Sequence, residues 1–489
     1  MRKRLKNILR HLKKPFGLTR KDVRKIAAEH REIRRVIGLT LEDETPIYEP
    51  NTTLSWLVYG GAGSGKTTCV TISAILSLLA DSTRGQIIND VKPEVAHQIA
   101  EMCLKAGRNF AVIDDSGSMG KAYPHRVRVN PFSNLIAAHR ENSPNLMLEI
   151  ESVSKVFINE PDNEPRNFYF RQSPRELVIV AILILLAHSP DNATPGGIAS
   201  LIADPDLWHS ALEIEAEEGT PLTKNRARQI LQMHADNPEH YSQHILAALS
   251  AFSIFMEGGP LHEVGQNEDI THEQLLKENY IVCVCQNARN AANLSIYYGL
   301  TFNAFLNAQM SGECGRTILI FDEVANTPAK DIIKNVTIFR SFGLQVLYLA
   351  QSKADLERQN GVKIVATLED NCAIQYLQIT NQAAETISKA IGDVENVSYS
   401  INESSGKPDV SRTINLGKER LFTADQLQSL PADQQIIFIP GQPTLHCKKV
   451  RQNNFFPLSA DLSGNPNEGG KILPPDYKVV LPNYDGWQA

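Results

Sequence analysis

The chain has 489 residues, of which 42% are hydrophobic and 21% are charged, and its formal net charge is -6. This length excludes a single ordinary core and predicts two or more domains, one of which can be inserted inside another. The composition is typical of a soluble globular protein.

The cysteines and the longest apolar run indicate the environment of the chain. Seven cysteines are scattered through it without a recognisable signal peptide, which predicts a reducing cytoplasm and buried thiols. Cys283 and Cys285 are separated by one residue, a poor spacing for zinc without a second pair nearby. The run Leu177 to Ala187 would cover about 16 Å as a helix. That is about half of a bilayer's hydrocarbon core, so we predict a buried helix.

The first segment is strongly basic, because Met1 to Gly38 carries fourteen Lys or Arg residues against three acidic ones. A helix here would place four apolar residues on one face and basic residues around the rest. The apolar four are Leu5, Ile8, Leu9 and Leu12. A basic amphipathic helix suits an anionic membrane surface or a partner protein, and also nucleic acid. The alternative is a solvated terminal helix that docks on its own protein.

Strand-like apolar runs recur along the chain with helical stretches between them. Several are apolar throughout, as strands covered on both faces should be. This pattern predicts an α/β fold with a mainly parallel sheet. The runs are Leu54–Tyr59, Gln86–Ile88, Phe110–Ile113, Tyr280–Cys285, Thr317–Phe321, Leu344–Ala350, Cys372–Ile379 and Gln434–Ile439.

Between Arg175 and about Gly265 only helical patterns occur, which predicts an all-α domain inserted in the sheet domain. The last thirty residues are rich in Pro and Gly and predict a surface-hugging or mobile tail. The predicted organisation is a basic helical segment at 1–45, the sheet domain in two parts at 46–174 and 266–455, the all-α insertion at 175–265, and the tail at 456–489.

The strongest motif follows the first apolar run and precedes a helical pattern. It matches the phosphate-binding pattern GxxxxGK[ST] in its required context. Glycines let backbone N–H groups converge on phosphate oxygens, and a helix N-terminus adds partial positive charge. Lys66 is predicted to neutralise the β- and γ-phosphates and Thr67 to bind Mg²⁺, so ATP and Mg²⁺ are the expected cofactors. The predicted nucleotide-binding residues are Gly60, Gly61, Ala62, Gly63, Ser64, Gly65, Lys66, Thr67 and Thr68.

A second motif is the apolar run Thr317 to Phe321, which ends in Asp322 and Glu323. Parallel sheets bind ligands at the carboxyl ends of their strands. Asp322 is predicted to hold Mg²⁺ directly or through water, and Glu323 to polarise the attacking water as general base. The pair favours ATP hydrolysis over nucleotide switching, and the alternative is a solvated turn.

Two polar residues gain meaning from their positions. Gln351 ends the next apolar run and is predicted to sense the γ-phosphate or the attacking water, unless it contacts only solvent. Arg340 precedes that run. In a ring of subunits it is a candidate arginine finger that acts on a neighbour's nucleotide, and otherwise it is a surface arginine.

These motifs resemble those of the type IV secretion coupling proteins, the TraG/TraD-like DNA-transfer ATPases of bacterial conjugation. The resemblance runs in family order from about residue 54 to 450, although Val91 and Pro93 replace the family's Pro and Gly. Besides the phosphate loop, the matching stretches are Asp90–Glu94, Val129–Phe132, Phe321–Asn326, Arg340–Gly343, Ala350–Ser352, Glu385–Ser388 and Ile391–Gly392.

The resemblance implies a RecA-like P-loop NTPase domain with an all-α insertion, assembled as a homo-hexamer at the inner membrane. It implies that ATP hydrolysis drives a relaxase-bound DNA strand, or protein substrates, into a type IV secretion channel. It also supports a role in trans for Arg340 and a sensing role for Gln351. Family members usually begin with a membrane-spanning hairpin, which is not recognisable here. A cytoplasmic protein with peripheral attachment, helped by the basic helix or by a separate membrane subunit, is therefore expected.

Three functions remain open at this point. The first is an ATP-driven coupling protein for conjugation or secretion. The second is a DNA pump of the FtsK or HerA kind without a secretion channel. The third is an ATP-binding adaptor that recruits substrates through its helical domain. Stimulation of ATP hydrolysis by single-stranded DNA distinguishes the two motors from the adaptor.

Overall fold

The computed structural model describes residues 33–120, 122–159, 168–324, 332–333, 335–403, 410–455, 458–476 and 478–479. The predicted basic helix over Leu5 to Leu12 lies outside these residues. The strands are β1 Val36–Leu39, β2 Pro46–Tyr48, β3 Trp56–Tyr59, β4 Arg84–Asp90, β5 Phe110–Ile113, β6 Ile281–Cys285, β7 Arg316–Phe321, β8 Leu344–Ala350, β9 Ala373–Tyr376, β10 Asp393–Glu403, β11 Val410–Arg420, β12 Gln434–Phe438 and β13 Leu445–Lys448.

Eleven strands form one sheet in the order β2-β1-β13-β12-β9-β3-β8-β7-β4-β6-β5. The strands from β9 to β5 pair in parallel, and β12, β13, β1 and β2 extend the sheet in antiparallel pairs. Strands β3, β4, β5, β6 and β8 are buried along their whole length, which explains their apolar or weakly alternating sequences. The prediction of a mainly parallel α/β sheet is therefore confirmed.

The α-helices flank this sheet and fill the segment between β5 and β6. They are α1 Ile72–Ser77, α2 Glu94–Lys105, α3 Ser133–Arg140, α4 Leu146–Phe157, α5 Phe168–His188, α6 Pro195–Ala203, α7 Pro205–Glu218, α8 Pro221–Asp236, α9 Pro238–Ala251, α10 His272–Lys277, α11 Ser295–Met310, α12 Val336–Phe339, α13 Lys353–Asn360, α14 Val362–Asn371, α15 Asn381–Ile391 and α16 Ala424–Gln428. A π-helical turn, Thr67–Thr71, leads directly into α1.

The all-α insertion lies between β5 and β6, where α3 to α10 follow one another. Its central helix is α5, in which Leu177 to Leu186 are buried, as the apolar run predicted. Helices α6 to α9 each begin with a proline after a residue whose side chain caps the helix: Thr194, Asp204, Thr220 and Asn237. The helical region is longer than the predicted 175–265, and the domain boundaries themselves stay a prediction.

Two further observations concern the membrane and the cysteines. In the part of the chain that the structure describes, no helix combines the length and the apolar character needed to cross a bilayer. The seven cysteines are all free, and six of them are buried. Cys283 and Cys285 lie buried in β6, and the described residues contain no cluster of His, Cys, Asp and Glu suited to a metal ion.

Candidate active site

The phosphate loop leaves the carboxyl end of β3, which is the middle strand of the eleven-stranded sheet and lies between the parallel strands β9 and β8. Gly63 and Gly65 have φ of +74° and +92°, which other residues rarely adopt. At Gly60 an added Cβ would lie 2.4 Å from the Ser64 hydroxyl oxygen, so a larger residue there would require the Ser64 side chain to move. The loop therefore folds back closely on itself before Lys66 and the π-helical turn.

Lys66 is held over this loop by the loop's own backbone. Its ammonium donates to the carbonyl oxygens of Gly60 at 2.7 Å and Gly61 at 3.3 Å. Burial lowers the pKa of Lys66, the nearby carboxylates of Glu323 and Asp322 act against this shift, and the charge of Lys92 adds to it. Lys66 thus lies in the field of both predicted acidic residues.

Two threonines of the π-helical turn join the phosphate loop to the acidic strand end. The Thr67 hydroxyl donates to Oδ2 of Asp322 at 3.0 Å, and the Thr71 hydroxyl donates to Oδ1 at 2.6 Å. They are four residues apart, so they lie on the same face of the turn. Burial raises the pKa of Asp322 to about 7, against the effect of these two hydrogen bonds.

Glu323 and Gln351 meet because their strands are neighbours. Strand β8 lies between β3 and β7, so Gln351 emerges between the phosphate loop and the acidic strand end. The Gln351 side-chain amide donates to Oε2 of Glu323 at 3.1 Å. Burial raises the pKa of Glu323, while the Gln351 hydrogen bond and the Lys66 charge oppose the shift. The structure therefore brings together Lys66, Thr67, Asp322, Glu323 and Gln351.

Arg340 does not join this group. It follows α12 in a 3-10 turn, is exposed, and precedes β8, so it lies at the amino edge of the sheet. Gly343, which ends this turn, accepts a backbone hydrogen bond from Thr317, at the start of β7. Seven residues of β8 separate the two edges, a distance of about 20 Å. Arg340 therefore cannot reach the nucleotide-binding loop of its own chain.

The loop after β4 also borders the site, although we predicted no site residue in it. In the register of β4 and β7, Asn89 pairs with Phe321, so the loop starts beside Asp322. The buried Asp90 carboxylate accepts from the backbone N–H of Glu94 at 3.1 Å and of Ala96 at 2.8 Å. Burial raises its pKa to about 7. Asp90 thereby caps α2 and fixes the loop that carries Lys92.

Thr71 and Lys449 are further residues that the sequence reasoning missed. The four-residue spacing from Thr67 was a signal that could have identified Thr71. Lys449, which follows β13, donates to the carbonyl oxygen of Ser64 at 3.1 Å. It comes from the antiparallel part of the sheet, far away in sequence, and no local pattern could have predicted it.

A cavity of about 440 Å³ adjoins the outer side of the phosphate loop. The loop itself, from Ala62 to Gly65, forms one wall. Lys449 and Arg451 contribute charge, and the remaining walls combine apolar side chains from the segments after β9 and α16 with three glutamines. This space opens directly beside the predicted phosphate position.

The profile of the family described as type IV secretory system conjugative DNA transfer matches residues 29–466. The chain belongs to this family. The conjugal transfer protein TraG of Agrobacterium fabrum (strain C58) is 22% identical over 411 residues, which cover 81% of this chain and 59% of TraG. TraG of Rhizobium radiobacter is 22% identical over 426 residues, covering 81% of this chain and 61% of that protein. The chain thus spans about three fifths of the length of these relatives.

Solved structures of the bacterial conjugative coupling protein TrwB share the fold of this chain. Unbound TrwB has a TM-score of 0.63 at 16% identity and covers 87% of this chain and 91% of its own. TrwB in complex with ADP and Mg²⁺ has a TM-score of 0.61 at 15% identity, and the match covers 87% of this chain and 92% of the TrwB chain. At these identities the likeness establishes the fold. This member of the conjugative DNA-transfer family therefore has a RecA-like P-loop NTPase fold with an all-α insertion.

Proposed function

We propose that this protein is an ATP-hydrolysing motor that couples DNA, as a relaxase-bound single strand, or protein substrates to a type IV secretion channel. One observation carries the enzymatic part: Thr67, directly after Lys66, bonds Asp322 at 3.0 Å. The phosphate loop and the acidic strand end thus form one site. The family membership supports the part that concerns DNA transfer.

The residues present fit ATP and Mg²⁺. Gly63 and Gly65 keep the loop open to phosphate oxygens, and Lys66 supplies the positive charge. The Thr67 hydroxyl and the Asp322 carboxylate, already adjacent, would hold Mg²⁺, which neutralises charge on the β- and γ-phosphates when bound. The raised pKa of Asp322 fits a cation site, because a carboxylate in a desolvated position gains most from a nearby cation.

Glu323 is our candidate for the general base. The residue is 9% exposed, and the amide of Gln351 orients its carboxylate. A base must be ionised to accept a proton from the attacking water, and the Gln351 hydrogen bond favours the ionised form. Gln351 in turn would report the state of the γ-phosphate to β8 and α13.

The cavity beside the loop is our candidate site for the nucleoside. Its apolar walls include Leu377, Ile379 and Leu430, which suit a purine ring. Lys449 and Arg451 at its rim suit the α-phosphate or the ribose hydroxyls.

We further propose that the active form is a homo-hexamer in which Arg340 reaches the nucleotide of a neighbouring subunit. The position of Arg340 at the amino edge, remote from its own phosphate loop, supports a role between subunits. The proposed location is the cytoplasm, with peripheral attachment to the inner membrane through channel components or a separate membrane subunit.

The central test is ATP hydrolysis by the purified protein with and without single-stranded DNA, together with its mass with and without ATP and DNA. We expect DNA to stimulate hydrolysis and Lys66→Ala to abolish it. An adaptor would bind ATP without stimulation. Transfer of DNA between cells in a conjugation assay distinguishes a coupling protein from a DNA pump that works without a channel. Full turnover in Lys66→Ala would reject the site.

A further inference from the structure

The C-terminal segment from Asp461 to Asn467 runs along α2 towards the active site. Near the end of α2, Lys105 forms an ion pair with Asp461 at 2.7 Å. In the middle, the backbone N–H of Ser463 donates to the carbonyl oxygen of Gln98 at 3.0 Å. The segment therefore follows the helix back to its first turn, where the loop after β4 enters it.

There, two asparagines fasten the segment to that loop. The Asn465 side-chain amide donates to Oε2 of Glu94 at 3.0 Å, and its oxygen accepts from the backbone N–H of Asn467 at 2.9 Å. These partners fix the orientation of the amide, because a carboxylate can only accept. The Asn467 amide donates to the carbonyl oxygen of Lys92 at 3.0 Å. We call Asn465 and Asn467 the asparagine clasp.

The loop is thus held from two sides. From the sheet, the buried Asp90 carboxylate binds the N–H groups of Glu94 and Ala96. From the tail, the clasp binds the Lys92 carbonyl and the Glu94 carboxylate. The Lys92 side chain itself is exposed, on the loop that starts beside Asp322. Its positive charge lowers the pKa of both Lys66 and Glu323.

We propose that the asparagine clasp positions the loop so that Lys92 serves as a second cation for the phosphate end of the bound nucleoside triphosphate. This inference rests on the proposed ATPase function. Charge on the γ-phosphoryl oxygens is stabilised best by groups that are already in place before the reaction. Lys92 lies on the three-residue loop between β4 and α2, and it meets that condition only if the loop is fixed. The clasp fixes it.

The first experiment compares Lys92→Met with Lys92→Arg, which keeps the charge. We expect Lys92→Met to lower kcat about tenfold, as for one lost charge contact to a transferred phosphoryl group. Lys92→Arg should retain most of the rate. Affinity for a non-hydrolysable ATP analogue should fall in Lys92→Met, while affinity for ADP should not change, because ADP has no γ-phosphate.

The second experiment replaces the clasp with alanine, Asn465→Ala together with Asn467→Ala. Asn453→Ala is the matched control, since the Asn453 amide makes a bond of the same kind and length, 3.0 Å, to the carbonyl oxygen of Pro474. Hydrogen–deuterium exchange of the amides of Glu94 and Ala96 in the nucleotide-free protein should speed up in the clasp variant only. The unfolding midpoint of each variant checks that it folds.

The third experiment combines the clasp variant with Lys92→Met. If the clasp acts through Lys92, the combined loss in kcat should equal that of Lys92→Met alone. The proposal would be overturned if the combined loss in kcat equalled the product of the losses in the clasp variant and in Lys92→Met. It would also be overturned by an unchanged kcat in Lys92→Met, or by unchanged hydrogen–deuterium exchange in the clasp variant. A wild-type protein without ATPase activity would refute the proposed function instead, while the exchange and ligand-binding measurements would still test the clasp.

Discussion

The buried Thr71 hydroxyl donates a 2.6 Å hydrogen bond to Oδ1 of Asp322. Thr67, four residues earlier, donates to Oδ2 of the same carboxylate. Both oxygens of Asp322 are therefore oriented by one π-helical turn. If Thr67 turns towards a bound cation, Thr71 still keeps the carboxylate in place.

We expect Thr71→Val to raise the Mg²⁺ concentration needed for half-maximal ATP hydrolysis about tenfold. Valine keeps the shape but removes a hydrogen bond to a charged carboxylate, which is worth about 1.5 kcal/mol. It also raises the pKa of Asp322, so that less of it is ionised near neutral pH. Thr71→Ser retains the hydroxyl and serves as control. A Mg²⁺ titration of Thr71→Val that matches the wild-type curve would contradict this role.

We expect Gln351→Leu to move the acidic limb of the kcat profile to higher pH. The Gln351 amide stabilises ionised Glu323, so its loss raises the pKa of Glu323, and the general base then needs a higher pH to ionise. Gln382→Leu is a control on the neighbouring helix α15, because Gln382 is exposed and lines a cavity beside Gln351. An equal shift in both variants would exclude a specific contact.

Without Mg²⁺ and nucleotide, the pH dependence of stability should contain a contribution from Asp90. Its pKa is about 7 in the folded protein and near 3.8 in the unfolded chain, so between these values the folded state holds a proton that the unfolded state has released. This contribution is full below about pH 4 and is lost as the pH rises to about 7. The contribution can be measured from the free energy of unfolding in urea for the wild type and Asp90→Asn, between pH 4 and 8, in a buffer that contains a metal chelator. A wild-type stability that falls no more steeply than that of Asp90→Asn would disprove the effect.

We expect Arg340→Ala to bind nucleotide normally yet to lose at least a hundredfold in hydrolysis, as for removal of an arginine finger. Mixing it with Lys66→Ala should restore part of the activity. In mixed rings, a phosphate loop of the Arg340→Ala subunit can meet the intact Arg340 of its neighbour. Each variant alone is the control, and a mixture as inactive as its components would argue against action between subunits.

Much of the parallel sheet and the core of the candidate site could be predicted from the sequence. All eight apolar runs overlap a strand, because strands buried on both faces need continuous apolar residues. Strands β1, β2 and β13 were missed, since their short sequences VIGL, PIY and LHCK are interrupted by Gly, Pro or polar residues and form no continuous apolar run. Strands β10 and β11 were missed because their sequences are largely polar.

The phosphate loop and the Asp322-Glu323 pair are local patterns, and the sequence by itself determined them, because glycine conformation and strand-end carboxylates depend on neighbouring residues. Which strands lie side by side was decided only by the tertiary structure. That order places Gln351 against Glu323, brings Thr71 to Asp322, carries the clasp to the Lys92 loop, and leaves Arg340 at the opposite edge. Such contacts join residues up to 375 positions apart, and no local spacing encodes a distance of that kind.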